Sequence, residues 1–472
     1  MHRAVETLDQ VVSQLIDELQ NHWLNNGKKR LGPSDEDPFR ASLSHIVLDA
    51  LQAHNPSCEQ SMASIHKSSG HYSKRRYWSA AYGYKIHIKR SYDGLCELGY
   101  IHECKKGVYT DHMRLLTRYR ATPKLIDLFE DGFKEELHVI GAPSTNNEII
   151  RLKITQSDGH KELVEYEDTQ ATNEMRADLA IINGCLSRSW ADLELDEDGF
   201  RDLRARMLPK TGERFASKDG DGILRLQNRT LHRVFNDLDF STNGRLYGGW
   251  WQSIPKEYRP FILINGKRTI ELDYSGLHPN LIYALSGHKL EGDPYEIPQA
   301  HMDWSRKRYF RKAIKRAFNA MLNADHELMR EPTGVGVKDL NMSWSQVKAA
   351  IIERHKPIAH QFFTSIGSKL QLIDSQIAIA VLKHFAQMQI PVLPVHDSFI
   401  MHSGYEEELK EVMRAALKQE TGLSVPLRLT ERESTPKPPS IDDDDEFEML
   451  FNPPPHELRL DAFRELMGSP VQ

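Results

Sequence analysis

Apolar residues along the chain alternate between short continuous runs and longer segments in which they recur every three or four positions. The short runs, such as residues 270–272 and 390–395, are typical of buried strands. The longer periodic segments at residues 168–209, 305–322 and 374–385 predict amphipathic helices that each bury one face. Because both patterns occur, we expect an α+β fold.

An aspartate ends the first of these strands. Asp273 directly follows residues 270–272, and a helix is predicted to begin near Pro279, since proline is favoured in a first helical turn. A carboxylate between a strand and a helix is suited to metal binding. Taken alone, such an aspartate is about four times as often an ordinary turn or N-cap residue.

The helix predicted from Ser305 to Leu322 is cationic on one face. Arg311, Lys315 and Asn319 are four residues apart and therefore share that face. Further positive charge comes from Arg308, Lys312 and Arg316. Such a face can bind the triphosphate of a nucleotide, and Lys315 can also donate a proton to the leaving pyrophosphate.

A second aspartate lies at the tip of a predicted β-hairpin. Apolar residues flank residues 396–398 on both sides, as in a hairpin whose turn carries the acid. This hairpin would bring Asp397 beside Asp273, and two such carboxylates can hold two divalent metal ions over the attacking and leaving oxygens. On the preceding helix, Ser375 and Gln376 are predicted to face a primer-template.

In this order, the segments resemble the palm and fingers of family A DNA polymerases and single-subunit phage RNA polymerases, over roughly residues 225–426. Motifs A, B and C of that superfamily are matched by Asp273, Tyr274 and Ser275, by Arg311 and Lys315, and by His396, Asp397 and Ser398. Residues 242–246 and 251–255 are similar to two segments near the thumb of those enzymes.

The resemblance implies a right-hand polymerase with an antiparallel palm sheet and helical fingers and thumb. It implies two Mg²⁺ ions, or Mn²⁺ in their place, at Asp273, Asp397 and Tyr274, with Lys315 as the third catalytic residue. It also implies that Arg245 and His396 contact nucleic acid, Arg245 at the primer terminus. The residues expected to contact the nucleotide are Tyr274, His278, Arg311, Asn319 and Asn323.

Three departures from the family pattern bear on sugar selection. His278 stands where the DNA enzymes place a glutamate that blocks the ribose 2′-hydroxyl, and Asn323 replaces the tyrosine that partners this glutamate. Asn319 replaces the aromatic residue of the fingers helix. Because His278 is bulkier than the residue that RNA polymerases use there, we favour deoxynucleotides. No upstream acidic constellation resembles a proofreading nuclease, so we expect no editing.

We predict four regions. Residues 1–130 form an N-terminal helical module, residues 131–260 a connector and thumb-like helical region, and residues 261–432 the palm and fingers. Residues 433–472 are predicted to be an acidic, proline-rich tail. Within the second region, the spacing of Arg225, Arg229 and Arg233 predicts a helix over residues 224–235 with a positive stripe, which either follows a phosphate backbone or faces solvent.

The N-terminal module interleaves basic and aromatic residues over residues 73–101, a composition found in nucleic-acid-binding proteins. A helical pattern followed by a hairpin around residues 105–107 is similar to a winged helix. An ordinary helical domain with a solvated basic face explains the same pattern equally well.

Composition changes this picture little. Of 472 residues, 39% are hydrophobic and 27% are charged, as in soluble globular proteins, and no apolar run is long enough to span a bilayer. The formal net charge of -6 is partly due to the acidic residues 442–448, so it does not exclude nucleic-acid binding.

The N-terminus lacks the apolar core of a signal peptide, and we expect a cytoplasmic protein. The four widely spaced cysteines indicate neither disulfides nor a zinc ribbon.

These observations favour a template-dependent DNA polymerase whose partners are a DNA template, a primer and nucleoside triphosphates, without a membrane. Two alternatives remain open. One is a primase or RNA polymerase on the same palm, with an RNA product. The other is a DNA-binding protein with an inactive palm, against which the retention of Asp273, Lys315 and Asp397 argues. Protein partners are not indicated by the sequence.

Overall fold

The computed structural model describes residues 3–54, 61–67, 69, 72, 76–78, 84–110, 113–129, 136–141, 148–156, 161–208, 223–236, 239–297, 307–422, 428–432 and 454–468. They form helices and mainly antiparallel sheets, which confirms the predicted α+β class. In this part of the chain, no helix combines the length and apolar character needed to cross a membrane. The acidic residues 442–448 lie outside the described residues.

The N-terminal part combines helices with a small sheet. Its helices are α1 (Arg3–Asn25), α2 (Glu36–Gln52), α3 (Lys89–Glu97) and α4 (Pro123–Ile126). Its strands are β1 (Ala63–Ile65), β2 (Ile101–Lys105), β3 (Val108–Thr110), β4 (Met113–Leu115) and β5 (Thr117–Ala121). Strands β1, β5 and β2 form an antiparallel sheet in that order, while β3 and β4 pair as a ribbon between β2 and β5.

Among the described residues, buried apolar side chains form two clusters. The first joins α1, α2, α3 and the small sheet, and includes Leu15, Leu43 and Leu95. The second extends through the rest of the chain. Polar contacts connect the two parts: Arg225 lies 3.2 Å from Asp49, and the side-chain amides of residues 227 and 52 are 2.8 Å apart.

A second sheet follows in the chain. It consists of β6 (Ile150–Thr155), β7 (Lys161–Leu163), β9 (His232–Asn236) and β10 (Asn243–Tyr247), in the order β10-β9-β6-β7. Strands β6 and β9 are parallel, and the other pairs are antiparallel. Helices α5 (Gln170–Ser187) and α6 (Glu197–Met207) belong to the same region. The helical character predicted for residues 131–260 therefore describes only part of it.

The helix predicted over residues 224–235 is wrong. Residues 223–231 are not helical, and β9 begins at His232. Arg229 donates to the backbone oxygen of Ser187 at 2.9 Å, and buried Arg233 donates to the hydroxyl of Ser375 at 2.9 Å. These arginines are held by tertiary contacts, so their four-residue spacing does not reflect a helix face.

The largest sheet carries both candidate carboxylates. Its strands β8 (Ala191–Leu193), β11 (Ile262–Ile264), β12 (Lys267–Ser275), β13 (Leu393–Val395) and β14 (Ser398–His402) follow the order β13-β14-β12-β11-β8. Strand β15 (Arg428–Arg432) also pairs with β12, along residues 271–275. The carboxylate end of β12 thus lies between two neighbouring strands.

The remaining helices surround this sheet. They are α7 (Leu277–Leu285), α8 (Lys307–Asn323), α9 (Trp344–Arg354), α10 (Ile366–Gln387), α11 (Glu406–Thr421) and α12 (Pro455–Met467). Helix α7 begins two residues before Pro279, after Gly276 at a φ of 71°, a left-handed conformation that glycine adopts without strain. Helix α8 agrees closely with the predicted segment, and α10 begins earlier than predicted.

Helix α12 shows that residues 433–472 are not merely an acidic tail. Both oxygens of buried Asp192 on β8 accept hydrogen bonds from Arg459, at 2.7 and 2.9 Å. Phe463 stacks on Trp190 with ring centroids 5.3 Å apart. This helix has an apolar face that the charge and proline content of the preceding segment obscured, and it covers the edge strand of the sheet.

Candidate active site

The tip of the β13–β14 hairpin presents Asp397. Val395 pairs with Ser398, so residues 396 and 397 form a two-residue turn. His396 has a φ of 59°, a left-handed conformation that non-glycine residues adopt at some cost. The predicted hairpin with the acid at its turn is confirmed.

Asp273 lies on the neighbouring strand, level with this turn. Residue 273 pairs with Ser398, and the backbone nitrogen of Tyr274 donates to the backbone oxygen of Asp397 at 3.4 Å. Adjacent antiparallel strands are about 5 Å apart, which brings the two aspartates close together. Both line a cavity of about 370 Å³.

This cavity collects most of the residues that the sequence singled out. From the palm and the upstream segment it is bordered by Arg245, Asp273, Tyr274, His278 and Asp397. From α8 it is bordered by Arg311, Lys315, Asn319 and Asn323. Residues separated by up to 152 positions in the chain thus meet in one concave, polar site.

The side chain of Tyr274 does not face this site. It is 1% exposed, and its hydroxyl donates to the backbone oxygen of Met413 at 2.5 Å. Alternation along β12 directs it to the core, while Asp273 and Ser275 on either side are partly exposed. Burial, with a smaller contribution from the Asp397 carboxylate, raises the pKa of the Tyr274 phenol. Any contribution of Tyr274 to a metal or a substrate therefore comes from its backbone.

The cationic wall of the cavity is provided by α8. The Arg311 guanidinium lies 5.0 Å from the ring centroid of Tyr295, and the Lys315 ammonium lies 5.6 Å from it. Arg311 Nε also donates to Asp293 Oδ2 at 2.5 Å. Arg311 is thus held by a carboxylate, whereas Lys315 has no ion-pair partner among the described residues.

Tyr295 was not identified from the sequence. It is 4% exposed and belongs to the loop between α7 and α8, where no periodic pattern indicates its position. The loop is held by buried His355, whose Nε2 lies 2.8 Å from the backbone oxygen of Pro294, while Nδ1 lies 2.9 Å from the hydroxyl of Tyr283. Burial lowers the pKa of His355 to about 4, so this anchor is a neutral imidazole.

Asp374 on α10 was also not identified from the sequence. Its Oδ2 atom lies 2.7 Å from His278 Nε2 and 2.5 Å from Arg245 Nη2. Although burial opposes ionisation, the hydrogen bonds from His278 and Arg245 keep the pKa of the Asp374 carboxyl below its usual range. A carboxylate at a core position of an otherwise apolar helix face was the available signal.

Asn319 and Asn323 lie along the same face of α8. The side-chain amide of Asn323 donates to the backbone oxygen of Asn319 at 2.7 Å, and the side-chain amide of Gln371 lies 3.5 Å from Asn323 Oδ1. A Cβ atom at Gly367 would lie 2.4 Å from Asn323 Oδ1, so a larger residue at position 367 would have to displace the Asn323 side chain.

Two predicted nucleic-acid contacts lie outside this cavity. His396 borders a separate cavity of about 750 Å³, where its ring meets that of Tyr247 at a centroid distance of 6.1 Å. Gln376 is exposed on α10 and borders neither cavity. Ser375, predicted to face a primer-template, is instead buried against Arg233.

The donor set at the two aspartates suits a hard divalent cation. No three His, Cys, Asp or Glu side chains of the described residues cluster into a complete metal site. Mg²⁺ often uses only one or two protein carboxylates, with water and substrate phosphates as its other ligands. Asp273 and Asp397 on adjacent strands fit that requirement.

No protein-family model matches the chain, and no curated protein matches it. Among solved structures, the chain is similar to the POL domain of Pol1 from M. smegmatis in complex with DNA primer-template and dNTP. The sequence identity is 14% and the TM-score 0.29, over 55% of this chain and 63% of that chain. The chain thus spans less than two thirds of that structure, and a similarity of this size carries no argument about function.

Proposed function

We propose that the protein is a template-dependent nucleotidyltransferase, and specifically a DNA polymerase. The observation that carries this proposal is the cavity in which two carboxylates on adjacent strands face a cationic helix. Carboxylates suit divalent metal ions, and a lysine with an arginine suits a triphosphate. A nucleotide that binds with metal ions needs both the carboxylates for the ions and the cationic side chains for the phosphates.

Asp273 and Asp397 would hold two Mg²⁺ ions. When bound, these ions supply activation of the attacking hydroxyl and stabilisation of the charge on the leaving oxygen. Asp273 lies in a strand that is paired on both sides, and Asp397 lies in the two-residue turn of a paired hairpin, which limits the movement of both. Ser398, beside Asp397, donates to Glu271 at 2.8 Å, and Arg259 lies 3.2 Å from the same carboxylate oxygen. These contacts hold the start of β14 against β12.

Lys315 and Arg311 would bind the phosphates of the incoming nucleotide. The 3′-oxygen of the primer forms a bond to the α-phosphorus while the bond from that phosphorus to pyrophosphate breaks. Lys315 donates a proton to the leaving pyrophosphate, and the proton of the attacking hydroxyl passes to water. The 370 Å³ cavity is within the size range of small-molecule sites.

An extension assay tests this function. Primed and unprimed DNA and RNA templates are offered with deoxynucleotides or ribonucleotides, in the presence of Mg²⁺ or Mn²⁺. We expect deoxynucleotide incorporation opposite a primed template. Extension only with ribonucleotides would instead assign an RNA polymerase or primase. The absence of incorporation on every template offered would contradict the proposal.

Lys315→Ala is expected to lower kcat/KM for the nucleotide by about a hundredfold, with kcat reduced and KM raised, because a charged contact to the triphosphate and the proton donor to pyrophosphate are lost together. Lys312→Ala is the matched control, since Lys312 is exposed on the same helix but does not border the cavity. Steady-state kinetics of both variants measure the difference. Equal effects would reduce the role of α8 to a general basic patch.

We further propose that the N-terminal module is a winged helix that binds nucleic acid. The support is the order of its elements: α3 follows β1 and precedes β2, the β3–β4 ribbon and β5, and strands β1, β5 and β2 pair in one antiparallel sheet. Cations on α3 are engaged within the module: Lys89 pairs with Asp93, and Arg90 lies 3.7 Å from the ring centroid of Trp23. Lys106, exposed between β2 and the ribbon, is better placed for phosphates.

Lys106→Ser is expected to weaken DNA binding and to reduce the slope of log affinity against log salt by about 1, because fewer counterions are released. Lys28→Ser is the control, since Lys28 already lies 3.3 Å from Glu97. Fluorescence anisotropy at several salt concentrations measures the slope. An unchanged slope would assign the module to a structural or protein-binding role.

A further inference from the structure

Asp374 is a buried carboxylate behind the wall of the nucleotide cavity. It is 2% exposed and does not border the cavity, yet both residues that share its Oδ2 atom, His278 and Arg245, do. A buried carboxylate is costly to maintain unless its partners compensate for lost hydration. Its connection to two cavity residues indicates that it serves the cavity.

The contact between Asp374 and His278 fixes the orientation of the imidazole ring. At 2.7 Å, Nε2 donates to the carboxylate, so this nitrogen carries a proton and the ring is tethered at that edge. Arg245 Nη2 lies 3.5 Å from the same nitrogen, but both atoms are then donors, so this contact is not a hydrogen bond. No other group in the described part of the chain bonds to the ring. Rotation of the ring towards or away from the cavity would break this charge-assisted hydrogen bond.

Arg245 shares the same acceptor. Its Nε lies 3.1 Å from Asp374 Oδ2 and 3.3 Å from Oδ1, so the guanidinium covers the carboxylate along one side. His278 can therefore approach only from the remaining side. The arginine, the carboxylate and the imidazole form a compact triad in which each member restricts the other two.

We propose that Asp374 is a positioning residue for sugar selection. It holds the His278 ring in one orientation against the sugar of the incoming nucleotide, and thereby makes the ring a rigid steric barrier to a 2′-hydroxyl. This inference rests on the proposed function, because it assigns a role within that cavity. Asp374 touches neither the substrate nor the reacting atoms, and it acts through His278.

The test compares ribonucleotide with deoxynucleotide incorporation by Asp374→Asn and Asp374→Ala. The asparagine preserves the size of the side chain but removes its charge, so one variant remains informative if the alanine variant unfolds. Both are expected to raise ribonucleotide use relative to deoxynucleotide use by about threefold to tenfold, because a mobile ring discriminates less well than a fixed one. Thermal melting verifies folding.

Ser375→Ala serves as the matched control. Ser375 is equally buried on the next position of α10 and contacts Arg233, not His278. It is expected to leave the sugar ratio unchanged. A general disturbance of α10 would alter the ratio in this variant as well, and that result would overturn the inference.

A double-mutant cycle with His278→Gly separates action through the ring from independent action. In the His278→Gly background, Asp374→Asn is expected to cause no further change in the ratio. An equal change in both backgrounds, or an unchanged ratio in both Asp374 variants with measurable incorporation, would overturn the role of Asp374 alone. Wild-type protein that incorporates neither sugar would contradict the proposed function and this inference together.

Discussion

Asp273→Ala and Asp397→Ala are each expected to reduce nucleotide incorporation by about a thousandfold or more, while the fold and the affinity for DNA are largely retained. Each carboxylate would hold a metal ion that activates the attack, and removing a ligand costs several kcal/mol of the barrier. Neither side chain is part of the apolar core. Single-turnover incorporation at saturating Mg²⁺ measures the loss.

Two controls make this result specific to the cavity. Asp325→Ala removes a carboxylate from an exposed turn after α8 and is expected to leave the rate unchanged, since residue 325 does not border the cavity. Circular dichroism and thermal melting confirm that the Asp273 and Asp397 variants fold. Near-normal incorporation by either variant would show that the assigned metal ligands are wrong.

His278→Gly is expected to raise ribonucleotide incorporation relative to deoxynucleotide incorporation by about 10- to 100-fold, equivalent to roughly 1.4 to 2.8 kcal/mol of steric exclusion. The ring borders the cavity and is held by Asp374. Glycine removes the ring but also weakens the first turn of α7 by about 1 kcal/mol. His278→Ala removes the ring without that backbone effect and is expected to shift the ratio similarly.

Competition between the two sugars in a single reaction decides among three explanations. A raised ribonucleotide fraction supports steric exclusion by His278. An unchanged ratio would move sugar selection elsewhere, with Asn323 as the next residue to replace because it borders the same cavity. A lower ribonucleotide fraction would mean that His278 recognises the 2′-hydroxyl by a hydrogen bond, and that the enzyme makes RNA.

Local patterns predicted the elements of the candidate site well. The apolar run before Asp273 is a strand, the acid at 397 is at a hairpin turn, and the residues from Lys307 to Asn323 form a helix. Each of these depends on interactions between residues close in the chain, so periodicity and turn chemistry are sufficient. The same local reasoning was wrong for residues 224–235, where arginines spaced by four residues contact distant backbone and side-chain groups.

The sequence by itself therefore determined the strand, the hairpin and the helix that carry the candidate site, and the residue types available for metal and phosphate binding. Only the tertiary structure decided which of these side chains meet. It directs Tyr274 into the core, leaves Gln376 outside the cavity and brings Asp374 to His278 across 96 residues. The physical reason is that secondary structure depends on short-range contacts, whereas the pairing of distant polar groups depends on how whole elements pack and on which charges that packing buries.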